Sequence, residues 1–452
     1  MVDTNVLLVT VDSLRADHVG YHGYERDTTP FLDELGDSGI IFRKAFAPAG
    51  GTKFSFPSTL TGVYPTMYGG HEQVTEDQTL ISEIFQDGGY TTGGFHSTLY
   101  LSEDYGYDRG WDEFYDSKPD SSTATDIRSF LKKAVHGTPL YPYALKAYDT
   151  MESITGVNVG SYLVPADEKT DMALNFVSKI DADDNVFLWV HYMDPHHPFL
   201  PPEKYQRMFH DEIIGRRESV KMRQKLLQRP EEVTEEELQM QLNLYDAETR
   251  FWDDELRRLV ETTREKLGDV TVAVTSDHGE HFLEHGYFSG AQLYDIKQHV
   301  PLLIEGEQWD DDGDYDDLVC LIDLPTTLVD HAGLDVPDNY YGHSLIPLVE
   351  GGDWPREEIF GGLDVDEDGP RYACRTQNWK YIWSENGDPE LYDLTTDPGE
   401  QQNVVSEHPD VVKDLDSRLE THRQQVKATE QDVSVETSED VKERLRRLGY
   451  KE

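Results

Sequence analysis

Short runs of β-branched and aliphatic residues recur along the chain, and between them apolar positions fall at helical spacing or give way to turns. The first run, Asn5–Val11, stops at Asp12 and reads as a buried strand with a carboxylate at its C-terminal end. A helix should follow from "TPFLDEL", with Thr29 as N-cap and Pro30 in the first helical position. Further strand-like runs cover 186–190, 270–275 and 301–304. This alternation predicts an α/β fold with a mostly parallel sheet, in which ligands gather beyond the carboxyl ends of the strands. Residues 117–180 are irregular and suit a cap over the site, while 203–265 read as long and helical, with the glutamate runs at 231–232 and 235–237 as solvated faces. From about residue 355 the pattern changes to alternating strands, with a turn at Asn386-Gly387, and then to a helix near 407–427. Two units are therefore expected: 1–350, an α/β domain, and 351–452, a small antiparallel sheet with a helix. No internal repeat or low-complexity tract interrupts the pattern.

Charge narrows the range of partners. The chain has 452 residues and a formal net charge of -49, spread along its length, which excludes nucleic acid and anionic membrane surfaces and fits an acidic surface suited to high salt, as in a halophilic source. The two cysteines, Cys320 and Cys374, are too few for a disulfide framework and are expected as buried thiols. The N-terminal apolar run is far too short for a signal segment or a membrane span, so a cytoplasmic protein is expected.

Chemistry concentrates at the strand ends. The first delivers Asp12, the 186–190 run delivers His191, Asp194, His196 and His197, and the 270–275 run delivers Asp277, His278 and Glu280. Carboxylates and imidazoles from separate strands suit one divalent cation, with mixed oxygen and nitrogen ligation favouring Mn2+ or Zn2+ over Ca2+ or Mg2+. A second stretch, "GGTKFSFPSTLTGVYP" at 51–66, puts Thr52 and Lys53 where a glycine loop becomes a helix, a place that offers N–H groups and a positive dipole end to an anion.

Read together, "NVLLVTVDSLRADHVGYHGY", "STLTGVYP", "FLWVHYMDPHHPFLPP", "TVAVTSDHGEHFLEHG" and "ELYDLTTDPGEQQNV" resemble the sulfatase family of the alkaline phosphatase superfamily nearly end to end. The resemblance implies a three-layer sandwich with a small C-terminal sheet, and it implies roles residue by residue. Asp12, Asp277 and His278 correspond to metal ligands. Ten residues before Gly62, the nucleophile's place falls on Thr52, which would also touch the metal. His196 corresponds to the histidine that contacts the transferred group or protonates the leaving oxygen. Lys53 and His285 are further pocket candidates, with Arg15, Lys297, His299 and His96 behind them. The chain departs from the pattern in three ways. No Cys-x-Pro-x-Arg or Ser-x-Pro-x-Arg formylglycine motif is present, although Ser55-Phe56-Pro57-Ser58 imitates its start and leaves Ser55 as an alternative nucleophile. Ser13 stands where many sulfatases have a second aspartate, and His278 stands in place of an asparagine. The spacing from Asp194 to His197 is one residue short of the two-zinc pattern, so one metal is expected.

The implied activity is hydrolysis of a sulfate or phosphate ester, including phosphodiester chemistry, on a small-molecule or glycan substrate. Two alternatives stay open: a transferase moving a phosphoryl-alcohol group onto a glycan or lipid, and a non-catalytic binding protein that kept the fold. The sequence leaves oligomeric state open.

Overall fold

A computed structural model describes residues 4–68, 73–116, 164–181, 184–309, 313–364 and 369–429. Most of the expected cap, 117–163, lies outside the described residues. The thirteen strands among the described residues are β1 Asn5–Val11, β2 Ile40–Phe46, β3 Thr91–Phe95, β4 Glu113–Tyr115, β5 Val186–Tyr192, β6 Val270–Ser276, β7 His299–Val300, β8 Leu302–Glu305, β9 Gly313–Cys320, β10 Glu358–Asp364, β11 Pro370–Thr376, β12 Trp379–Ser384 and β13 Glu390–Asp393. The first nine form one sheet in the order β4-β3-β5-β1-β6-β8-β2-β7, with β9 beside β2. The five strands from β4 to β6 are parallel, β8 runs antiparallel between β6 and β2, and β9 is parallel to β2. The last four strands make a separate antiparallel sheet.

The uninterrupted hydrophobicity of β1 follows from helices covering both faces of the sheet. Val6 and Leu8 point into one core, with Phe56 and Leu60 of the helix Thr52–Thr61, Phe85 of Ile81–Asp87 and Leu328 of Asp323–His331. Leu7, Val9 and Val11 point into the other, with Phe31 of Pro30–Gly36, Phe176 of Ala166–Ser178 and Trp252 of Glu235–Leu267. The small sheet is joined to the large one by a shared apolar layer in which Ala49 and Leu293 meet Leu363, Ala373, Ile382 and Tyr392. Both cysteines are buried and unpaired. No helix among the described residues is long and apolar enough to cross a membrane.

Several local expectations change. The stretch 203–265 is three helices, Glu203–Phe209, Arg216–Gln228 and Glu235–Leu267, separated by turns. Glu237 is more than a solvated charge, because it completes a capping box with Thr234. The C-terminal helix is Pro409–Ala428. Thr29 is at the N-cap, but its hydroxyl does not cap the helix; it accepts from the Gly20 N–H, and the helix N–H groups of Phe31 and Leu32 go to the two oxygens of buried Asp253, both at 2.9 Å. Tertiary placement of a carboxylate 222 residues away thus supplies what a local cap usually does. Asp253→Ala leaves those two donors unpaired in the interior and is expected to lower the unfolding free energy by about 2–3 kcal/mol, measured by urea denaturation.

Candidate active site

The parallel register places the chemistry. Val11 of β1 pairs with Tyr192 of β5 on one side and with Ser276 of β6 on the other, so Asp12 and Asp277 leave adjacent strand ends side by side. The ladder continues past both: the Asp12 N–H donates to Tyr192 O at 2.8 Å and the Asp277 N–H to Val11 O at 3.1 Å. Ser13 then turns the chain with φ of 65°, a left-handed conformation that costs energy for a residue with a side chain. In return its N–H donates to Asp277 Oδ1 at 3.1 Å and its hydroxyl to Asp12 Oδ1 at 2.7 Å. The Tyr245 hydroxyl pins this turn from the long helix, donating to Ser13 O and accepting from the Arg15 N–H.

Thr52 opens its helix directly beside the two acids. Its Oγ1 is 3.4 Å from Asp12 Oδ2 and 3.2 Å from His278 Nε2. Two close approaches require glycine here. A side-chain carbon at Gly50 would lie 2.1 Å from Gln292 O, and one at Gly279 would lie 2.3 Å from Ile296 O, so the loop leading to Thr52 and the Asp-His-Gly loop both press against the 292–298 segment.

The electrostatics of the cluster suit a cation. Asp12, Asp277 and His278 are buried and can each offer one ligand atom within 4.8 Å of the others. Burial pushes the Asp12 carboxyl up to about 7. Burial and then the neighbouring Asp12 charge push Asp277 well above the carboxylate range. His278 is held well below the usual imidazole range, chiefly by burial and then by the Lys297 charge, and so is neutral. Its Nδ1 lies 2.7 Å from Gly279 O, which fixes the Nδ1–H tautomer and leaves an Nε2 lone pair facing the acids. Asp277 Oδ2 has no hydrogen-bond partner among the described residues. An unpartnered Asp277 oxygen, the His278 lone pair and the Thr52 hydroxyl therefore converge beside Asp12. A divalent ion fits this set, held by Asp12, Asp277 and His278 with Thr52 beside it.

Other residues fall at varying distances from this cluster. Lys297 is buried, its amine 3.3 Å from His278 Nδ1 and 3.3 Å from Glu280 Oε1; with Nδ1–H committed to Gly279 O, a lysine proton goes to Glu280. His196 is buried, its ring 4.2 Å from that of His197, and burial lowers its pKa to about 4, so it is a neutral imidazole. His197 accepts from Arg223 Nε at 2.9 Å. Lys53 carries its amine over the Tyr100 ring at 5.9 Å. His285 is outside the cluster, half-buried and stacked on Tyr294 with ring centres 3.8 Å apart. Ser55 is buried one turn into the helix, with its hydroxyl unpartnered among the described residues. Arg15 is tied to Asp17 and Glu284, His299 lies 2.8 Å from Arg43 O, and His96 is packed between Trp189 and Phe114. Asp194 sits in the turn after β5, where burial raises its pKa to about 7.

Two neighbours of the cluster had no individual role in the sequence reading. His191 lies inside β5, which runs two residues beyond the expected strand, and its Nε2 is 3.9 Å from Asp12 Oδ2. Glu280, visible in the Asp-His-Gly-Glu motif, is buried and receives Lys297. A separate cleft of about 700 Å³, lined by Tyr21, Arg26, Asp33, Arg43 and Asp314, includes none of the metal-site residues.

The sulfatase family pattern covers residues 4–334, and the pattern described as N-sulphoglucosamine sulphohydrolase, C-terminal, covers 283–425. An arylsulfatase of Clostridium perfringens is 26% identical over 442 residues, covering 89% of this chain and 90% of its own. Arylsulfatase K of Xenopus laevis is 33% identical over 169 residues, and the chain spans only 31% of that relative's length. Among solved structures, a phosphonate monoester hydrolase of Agrobacterium radiobacter superposes with a TM-score of 0.71 at 19% identity, covering 94% of this chain and 96% of that one. A protein solved with its substrate D-glucosamine-2-N,6-O-disulfate superposes with a TM-score of 0.72 at 19% identity, covering 96% and 100%. These relatives are ester hydrolases, and sulfatase-family enzymes use a divalent metal ion. With the family pattern covering most of its length, the chain belongs to the sulfatase family.

Proposed function

We propose that this protein is a metal-dependent hydrolase of sulfate or phosphate esters in which Thr52 is the nucleophile. The carrying observation is the position of Thr52 Oγ1, first in its helix and within 3.4 Å of both Asp12 Oδ2 and His278 Nε2. A divalent cation held by Asp12, Asp277 and His278 would supply Lewis acidity, making the hydroxyl more acidic and offsetting the charge of the incoming ester. The protein's own residues supply the rest. Asp12 and the lone pair of His278 orient the Thr52 hydroxyl. The helix N-terminus and the Lys297 ammonium favour the anionic oxygens of the transferred group. His196, neutral with one ring N–H, is assigned to the leaving oxygen. Without a formylglycine hydrate, the Thr52 ester formed in the first step is cleaved by water in the second. Such chemistry favours phosphoryl substrates, in keeping with the likeness to a phosphonate monoester hydrolase.

The test is turnover of aryl sulfate, aryl phosphate, bis-aryl phosphate and aryl phosphonate by purified protein in low and molar salt, after loading with Mn2+, Zn2+, Ca2+ or Mg2+. Metal-dependent hydrolysis of the phosphoryl compounds that chelator abolishes is the expected result. Absence of turnover on all four esters with every metal sinks the reading.

A further inference from the structure

The segment "ELYDLTTDPGEQQNV" contains Glu400, which touches neither the metal ligands nor Thr52. Its partners point back to the site. Glu400 is buried and adopts a φ of 55°. Its Oε2 accepts the Asp295 N–H at 2.6 Å, and its Oε1 lies 3.1 Å from the amine of Lys380, a lysine with no exposed surface in β12. Lys380 also donates to Asp295 Oδ1 at 2.7 Å, and Arg375 Nε of β11 reaches Asp295 Oδ2 at 3.2 Å. Burial alone would raise the Asp295 pKa, yet the two cations bring it down to about 2. The small sheet and the loop after β13 thus grip one residue, Asp295, by its backbone N–H and both carboxylate oxygens.

Asp295 opens the single helical turn Asp295–Gln298. Two residues on, Lys297 sends its amine to Glu280 and to the side of His278 away from the metal position, while its carbonyl accepts the Gly279 N–H at 2.8 Å. Gln298 exchanges bonds with Ala47, its carbonyl taking the Ala47 N–H at 2.7 Å and its side-chain amide giving to Ala47 O at 3.0 Å, five residues before Thr52. One turn therefore braces both the Asp-His-Gly loop and the nucleophile loop, and four residues cannot hold themselves rigid by their own hydrogen bonds.

We propose that Lys380 of the C-terminal sheet and Glu400 of the loop that follows it are positioning residues, which fix the Asp295–Gln298 turn so that the Lys297 ammonium is held behind His278, within electrostatic reach of Asp12 and Asp277. This rests on the reading above, in which the charge of Lys297 favours the anionic oxygens of the transferred group. The small sheet then contributes to catalysis without touching substrate, by holding a cation still from behind.

The test is a double-mutant cycle on the full-length, Mn2+-loaded protein, with orthovanadate affinity read by calorimetry and kcat/KM read on an aryl phosphate. Lys297→Met is expected to weaken both about tenfold. Lys380→Met and Glu400→Ala are each expected to do the same in the Lys297 protein, and to change either quantity less than about twofold once Lys297 is methionine. Asp295→Asn follows the same logic with a milder change in shape and decides the matter if Lys380→Met does not fold by near-ultraviolet circular dichroism. A merely structural brace would lower activity by equal factors in both backgrounds, and that additivity, or wild-type affinity in the single variants, overturns the inference alone. A wild-type protein that binds no vanadate with any metal overturns the reading above as well.

Discussion

Thr52→Ala is expected to lower kcat by about 10³-fold or more while leaving the fold and the metal affinity in place. The hydroxyl reaches Asp12, and the helix that presents it is held by Phe56 and Leu60 in the core, so the loss should be chemical rather than structural. Thr52→Ser keeps the oxygen and should retain activity within about 100-fold. The lost methyl frees a side chain now confined among Asp12, His278 and the helix end. Ser55→Ala tests the alternative nucleophile: its hydroxyl is one helical turn away, and its removal should change kcat by less than about threefold. Quenching the wild-type enzyme during turnover should leave the mass of one transferred group on the peptide carrying 51–66. Full turnover by the alanine variant would mean that water attacks directly, with Thr52 only lining the site.

How far the sequence carried this picture depended on whether a feature was local. The strand β1 and its terminal Asp12 were legible because six buried residues read as one largely hydrophobic run and the sheet rule says where polar residues then matter. The Asp277-His278 pair was legible for the same reason, and the spacing from Gly62 back to Thr52 came through the family likeness. What stayed hidden depends on residues far apart in the chain. Asp253 capping a helix more than 220 positions earlier leaves no mark in a local window. His285 looked close to the site by count, yet its positive φ and its stacking on Tyr294 turn it elsewhere. Lys297 carries no motif of its own. Its importance appears only when β8 is seen to run antiparallel beside β6, returning the chain so that the preceding turn lies under His278. Ser13 was read as a missing ligand, while in the fold its backbone and hydroxyl donate to both acids.

Those acids give the second large effect. In metal-free protein, Asp12→Asn is expected to raise the unfolding free energy, by about 1–4 kcal/mol, because it removes one of two buried carboxyls that repel each other and lack enough donors. The sign of the pH dependence follows. The folded Asp12 carboxyl titrates near 7 against about 3.8 unfolded, so folded protein holds a proton that unfolded protein releases between those values. Metal-free wild type should therefore be most stable below about pH 4 as far as this group is concerned and lose that contribution as pH rises toward 7. The asparagine variant should show a flatter profile over the same window. Metal reverses the order. At about 100 times its Kd, a cation should stabilise wild type by about 2.7 kcal/mol, through the charges that destabilise it when empty. The variant, with one anionic ligand gone, should gain nothing at that concentration and should hydrolyse no ester. Thermal melts of both proteins with chelator and with Mn2+ check this crossing. A variant that melts below wild type in chelator and is still stabilised by metal would show that Asp12 is a structural hydrogen-bond acceptor and the cation lies elsewhere.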